Sequence, residues 1–297
     1  MLTKRIRAIK GLFMWLIIAV VISLLTIGYI TWKTKKSNTQ LQLQFDQIIQ
    51  LRQLIQFIRH HRRYCHQKIV SNNTNNKFHE SIQNKRYALK QTLSILIHQA
   101  DANHKPMFRI LRQEIQRLFT DSPNYSLQRS QAVHGRIIRH IMYLIDDVIS
   151  ASLLTAEKDT TFEHYQSAWP VTLNALDSLN KFRWTIEQHP LENKSYAREL
   201  EMHVKMIQRR LGQISMVSHQ TPPIWPIEKL MQTFQEIQFH NQDENKLKEE
   251  LYLYSIQISD TIFQFFDLII NDIADDLAIT VPNITVCTID FGHNKQT

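Results

Sequence analysis

The sequence predicts an all-α fold, with an N-terminal transmembrane helix followed by an elongated helical bundle. Three observations carry this expectation. Residues 11–32 (GLFMWLIIAVVISLLTIGYITW) form an uncharged run of 22 residues. Beyond it, apolar residues recur at spacings of three and four in one segment after another, the period of a helix with one buried face. The chain also holds only five glycines in 297 residues, where ordinary usage would give about 20. Turns that need positive φ should therefore be few, which suits long helices.

The first element is the run at 11–32. At 1.5 Å per residue it spans a hydrocarbon core of about 30 Å. The basic flank 1–10 carries Lys4, Arg5, Arg7 and Lys10, and Lys33, Lys35 and Lys36 follow. Trp15, Tyr29 and Trp32 stand near the ends, where amphipathic rings favour the membrane interface. A signal peptide has a shorter apolar core and a small-x-small cleavage site. This run has neither feature, so it reads as an uncleaved anchor.

The next stripe is Leu41, Phe45, Ile48, Leu51, Ile55, Ile58 and Ile69, a helix face continuous with the anchor unless it breaks at Ser37-Asn38. SNNTNNK at 71–77 predicts a loop. Helices are expected over 78–99 and 107–119, separated by a break at 101–106, and DSPNYS at 121–126 is the next break. A long helix follows over 127–156, with Val133, Ile137, Ile141, Leu144, Val148 and Ser152 inside. The pattern weakens at 157–161. Another helix covers 162–188, where Pro170 predicts a kink or a start. After a turn at 189–195, a helix over 196–217 buries Leu200, Val204, Ile207, Leu211 and Ile214. TPPIWP at 221–226 marks the strongest boundary. Two more helices, 227–240 and 244–279, precede a tail that reads as a short strand or a frayed end. The domain division is thus the flank 1–10, the anchor 11–32, a bundle over 37–219, and an extension and tail over 220–297.

The formal charge of +8 misleads. Residues 1–36 hold seven Lys/Arg and no acid, which leaves 28 basic against 27 acidic residues elsewhere. The basic balance therefore reports membrane flanks and gives no case for nucleic acid. Residues 37–140 carry 16 basic and 5 acidic side chains, and residues 141–297 carry 12 and 22. Two halves of a bundle that attract each other would have this distribution. So would a basic part that attracts anions or anionic lipid. Cys65 and Cys287 do not make a disulfide framework.

Two positions break the apolar pattern. The stripe Leu51, Ile55, Ile58 reaches Arg62 four residues on, then Cys65 and Ile69. Leu173, Leu176, Leu179 and Ile186 define a second face that contains Arg183. A guanidinium facing a bundle interior is costly unless paired. Two of them on two inward faces could converge on one buried oxyanion, since the planar fork matches it bidentately. Alternatively they pair with Asp146, Asp147 or Asp177, or snorkel to an edge.

LRQLIQFIRHHRRYCHQKI at 51–69 resembles the first signature helix of the nitrate- and nitrite-sensing (NIT) domain family. There a Leu-rich helix leads into a Glu-Arg-Gly-like triplet, here His61-Arg62-Arg63. Residues 168–186, ending in SLNKFRW, are similar to the second signature, with Arg183 in the arginine position. The glutamate and the glycines of the family pattern are missing. The resemblance spans roughly 42–218 and implies an all-helical bundle that holds nitrate or nitrite between Arg62 and Arg183. It also implies signalling, yet residues 227–297 contain no output motif, so a separate signalling protein partner is expected.

His61 and Cys65 are i, i+4, with His60 and His66 nearby, but zinc needs more ligands than one helix offers, so no metal or other cofactor is expected. No catalytic residue is expected either. The chain has no nucleophile elbow, P-loop, His-Glu-x-x-His or dinucleotide fingerprint. Asp146-Asp147 and Asp275-Asp276 are adjacent, so on a helix they diverge by about 100°.

Two functions follow as expectations. One is a membrane-anchored sensor of a small oxyanion. The other is a membrane-tethered helical scaffold or interaction protein. Four basic side chains and the amino terminus precede the anchor, against three basic residues after it. This bias places the N-terminus inside and the domain outside the cytoplasm; the membrane expected is a bacterial inner membrane. A single anchor with parallel helices would suit a homodimer.

Overall fold

The computed structural model describes residues 2–71, 76–100, 102, 104–188, 194–217, 232 and 244–280. These contain seven α-helices, one 3-10 turn and no strand. The helices are α1 (Leu2–Ser71), α2 (Asn76–Gln99), α3 (Lys105–Asp121), α4 (Leu127–Thr155), α5 (Asp159–Gln188), α6 (Lys194–Val217) and α7 (Glu244–Asp276). The all-α reading stands. The expected loop at 71–77, the turn at 189–195, TPPIWP, the helix at 227–240 and the tail fall wholly or mainly outside the described residues.

Local chemistry explains the helix ends. Pro106 sits in the first turn of α3, where its missing N–H costs nothing, so the helix begins two residues before the expected start. Ser126 caps α4, and its side chain accepts a bond from the Arg129 amide at 3.2 Å. Helix α5 runs through Pro170 although proline removes the bond to the carbonyl four residues back. Helix α4 ends with Glu157 at φ 54°. The Lys158 amide donates to the Leu153 carbonyl at 3.1 Å and the Glu157 amide to Leu154 at 3.3 Å, a Schellman motif. Helix α7 ends in the same way at Ala278, φ 53°. The scarcity of glycine therefore understated the use of positive φ, because these two turns place a glutamate and an alanine there.

The chain divides into two compact units, Met1–Gln44 and Phe45–Thr297. The described residues of the first belong to α1, whose helical hydrogen bonding is unbroken at Ser37-Asn38. By length and composition α1 contains one stretch able to cross a membrane, and none of that stretch is buried. Two of its hydroxyls are satisfied within the helix. The Thr26 hydroxyl donates to the Ser23 carbonyl at 2.8 Å and Thr31 to Gly28 at 3.0 Å, as an apolar surrounding demands.

The second unit has one apolar core, drawn from α1 to α7. It includes Phe45, Ile48, Leu51 and Ile58 of α1, Ile141 and Ile145 of α4, Leu179 and Phe182 of α5, and Phe263 and Phe266 of α7. The α1 stripe ends sooner than its period suggested, since Ile69 is 37% exposed. Helix α7 packs on α5 and runs antiparallel to the second half of α1. Arg52 Nη2 donates to Asp267 Oδ2 at 2.8 Å, and Arg59 pairs with Asp260. The two arginines and the two aspartates are each seven residues apart, and Phe263 lies between the guanidinium groups at 4.6 and 4.7 Å. Two turns further, the His66 ring stacks on Tyr252. Arg52–Asp267, Arg59–Asp260, Arg139–Asp177 and His66–Glu187 all join the basic part of the sequence to the acidic part. The uneven charge therefore serves internal pairing.

Two stability predictions follow from these contacts. Asp267→Ala strands the Arg52 charge in the core and should cost about 3–5 kcal/mol in urea unfolding, whereas the double change Arg52→Leu/Asp267→Leu should cost much less. Glu157→Gly removes left-handed strain and should raise stability by about 0.5–1 kcal/mol. An unchanged or lowered urea midpoint would refute it.

Candidate functional site

Arg62 and Arg183 reach the same place. Helix α1 presents Arg62 and α5 presents Arg183, both almost fully buried, at 4% and 2% exposure. Together they line one small void with Asn180 of α5, Gly135 of α4, and Ser259 and Phe263 of α7. Its volume is about 10 Å³, the space of one water molecule.

Two of the three expected carboxylate partners are used elsewhere. Asp177 pairs with Arg139, and Asp146 accepts from the Tyr165 hydroxyl at 2.9 Å. Among the described residues, neither Arg62 nor Arg183 is bonded to a carboxylate. Arg183 instead donates from Nε to Ser255 Oγ at 2.9 Å and from Nη2 to the Ser255 carbonyl at 2.8 Å. Both guanidinium groups lose their hydration. Burial lowers Arg62 to about 10, against the pull of Tyr252 and Asp260. Burial, reinforced by the charge of Arg62, holds Arg183 well below its ordinary value. These are cations in a site that disfavours cations, which a bound anion would relieve.

One further polar group points to the same spot. Ser259 Oγ lines the void and is buried without a hydrogen-bond partner among the described residues. Gly135 permits this packing, because a Cβ there would stand 3.2 Å from the Asn180 amide. A larger cleft of about 660 Å³ lies between α4, α5 and α6 and shares Gly135, Arg139, Asp177, Asn180 and Arg183 with the void. Arg136, Arg139, Lys181 and Arg183 line it against only two carboxylates, Asp177 and Glu199. An anion would therefore approach through a basic cleft.

Beside this site lies a second polar cluster, formed by His61 and Cys65 of α1 and His134 of α4, all buried. His61 Nδ1 is 2.9 Å from His134 Nε2, and Cys65 Sγ is 3.7 Å from His61 Nδ1. His134 Nδ1 donates to the Ser130 carbonyl at 2.7 Å, which leaves Nε2 as the acceptor. Burial, with help from Arg86, lowers His61 to about 3. Burial and the neighbouring His61 depress His134 strongly. Burial also raises the Cys65 thiol to about 11. All three groups are therefore neutral at pH 7. Their donor atoms are of the types that hold a metal, and the first two were visible as i, i+4 neighbours on one helix.

The sequence pointed to Arg62 and Arg183. It did not point to Ser255, Ser259 or Asn180. Ser255 and Ser259 are four apart on the buried face of α7, and that spacing among isoleucines was the signal for them. Comparison with family models, with curated proteins and with solved structures gives no match to this chain.

The neutral histidines predict a pH dependence. Unfolded His61 and His134 take up protons below about pH 6.5, whereas the folded groups stay neutral down to about 3 for His61. Stability is thus full above 6.5 and falls as pH drops. Each histidine should contribute a loss of about 1 kcal/mol between pH 7 and 5.5, read from urea midpoints with a metal chelator present. A flat profile over that range would contradict neutral burial.

Proposed function

We propose that the protein is a membrane-anchored, sensor-like protein that binds a small oxyanion, nitrate or nitrite, between the helices of an all-α bundle. Residues 11–32 are the single transmembrane span, and the helical domain lies outside the cytoplasm. Arg62 and Arg183 are the ligand residues, and recognition involves no covalent chemistry. The observation that carries this reading is the pair of buried guanidinium groups around one void, neither bonded to a carboxylate among the described residues.

Burying an uncompensated cation costs several kcal/mol, and here two do so within reach of each other. A planar oxyanion accepts bidentate bonds from guanidinium N–H groups. It would bring one negative charge between the two cations, cancel one of their two charges, and give the Ser259 hydroxyl an acceptor. The void is one water in size, so an ion of three or four heavy atoms enters only if α1, α5 and α7 part slightly. The empty and filled packings would then differ, and a ligand shifts such an equilibrium by its differential affinity for the two. A separate signalling protein reads the change.

The second reading is a membrane-tethered helical scaffold without a small ligand. The bonds from Arg183 to Ser255 and the water-sized void favour it, since both suit a closed core.

Isothermal titration of the full chain in detergent separates the two. The sensor reading expects nitrate or nitrite to bind at millimolar concentration or below while chloride does not. Arg62→Met and Arg183→Met should each weaken binding at least tenfold with helicity unchanged. If neither ion binds, or if both variants bind like the parent, the scaffold reading stands.

A further inference from the structure

We propose that His61, Cys65 and His134 form a binding site for a soft monovalent metal ion, copper(I), held between α1 and α4. The geometry is the first argument. The three donor atoms lie within 4.8 Å of one another, with N···N at 2.9 Å and S···N at 3.7 Å. An ion with metal–nitrogen bonds of about 2.0–2.1 Å and a metal–sulfur bond of about 2.3 Å sets these separations at about 3.4–3.6 and 3.6–3.8 Å. The imidazoles need to part by about half an ångström, and the thiol already stands at the required distance from His61.

The surroundings fit as well. The Ser130 carbonyl fixes the His134 tautomer so that Nε2 presents its lone pair inward, the support that metal-binding histidines require. Phe119 packs edge-on against His61 at 4.9 Å and closes the apolar side.

Charge and coordination number select the ion. A thiolate with copper(I) and two neutral imidazoles carries no net charge. Zinc(II) in the same place would leave a full positive charge in the core. The positive charges of Arg62 and Arg86 already act on this pair of histidines, so the local potential opposes such an excess. Zinc also prefers a fourth ligand. Among the described residues no further His, Cys, Asp or Glu joins the cluster. Three soft or borderline donors suit copper(I). Binding replaces the Cys65 S–H bond with a sulfur–copper bond and releases the proton to solvent, with no change of oxidation state.

The site is distinct from the one proposed for the oxyanion, and its test is independent. The full chain carrying Cys287→Ser, so that Cys65 is the only thiol, is purified in detergent. It is titrated anaerobically with copper(I) against a coloured copper(I) chelator. The expected result is one equivalent withdrawn per chain. Adding Cys65→Ser or His134→Gln should weaken affinity at least tenfold, with circular dichroism unchanged. X-ray absorption of the copper-loaded Cys287→Ser protein, which needs no further variant to fold, should show three-coordinate copper with one sulfur and two nitrogens. Failure to withdraw copper, a shell without sulfur, or unchanged affinity in a folded Cys65→Ser protein would overturn the site. Displacement of the copper by one equivalent of zinc(II) would overturn the choice of ion.

Discussion

Desolvation of the guanidinium group is the constraint on which the interior depends. Taking such a group out of water costs several kcal/mol unless a carboxylate or a full set of acceptors replaces the lost hydration. The core buries Arg52, Arg62 and Arg183 and nearly buries Arg59. Arg52 and Arg59 meet aspartates on α7 and share Phe263 between them. Among the described residues Arg183 bonds to a hydroxyl and a carbonyl, and Arg62 bonds to no carboxylate. The same residue type thus divides into a pair that fastens two helices and a pair left electrostatically short. That division separates the part of the core that stabilises from the part proposed to hold an anion.

Helix α7 is the element that makes the division. It supplies Asp260 and Asp267 to the fastened arginines, Ser255 to Arg183, and Ser259 to the void. It belongs to the same compact unit as α4 and α5. A chain cut before residue 244 would expose the Arg52 and Arg59 charges and leave the phenylalanine-rich centre of the core uncovered.

Much of this was legible in the sequence, for a definite reason. A helix's buried face repeats every 3.6 residues whatever it packs against, so the stripes of α1, α4, α5 and α6 showed themselves without knowledge of their partners. Arg62 and Arg183 were visible as exceptions to those stripes. What stayed hidden depends on tertiary pairing. Asp267 lies 215 residues from Arg52, and no local pattern links them. His134 is 73 residues from His61, so one helix showed only two members of a three-membered cluster. Serine suits either face of a helix, which concealed Ser255 and Ser259. The opposite error occurred at Ile69, where the period outlasted the contact.

The sevenfold spacing of the α1–α7 ion pairs works as an index stop. An antiparallel slip of one helical turn, about 5.4 Å, moves both Arg52 and Arg59 away from their aspartates at once. An arginine faces an aspartate again only after seven residues, about 10.5 Å, and then one pair re-forms where two stood. Between these settings both charges would be buried and unmet. The second half of α1 is therefore held at one axial setting, and motion of this seam is confined to rotation, bending or full release.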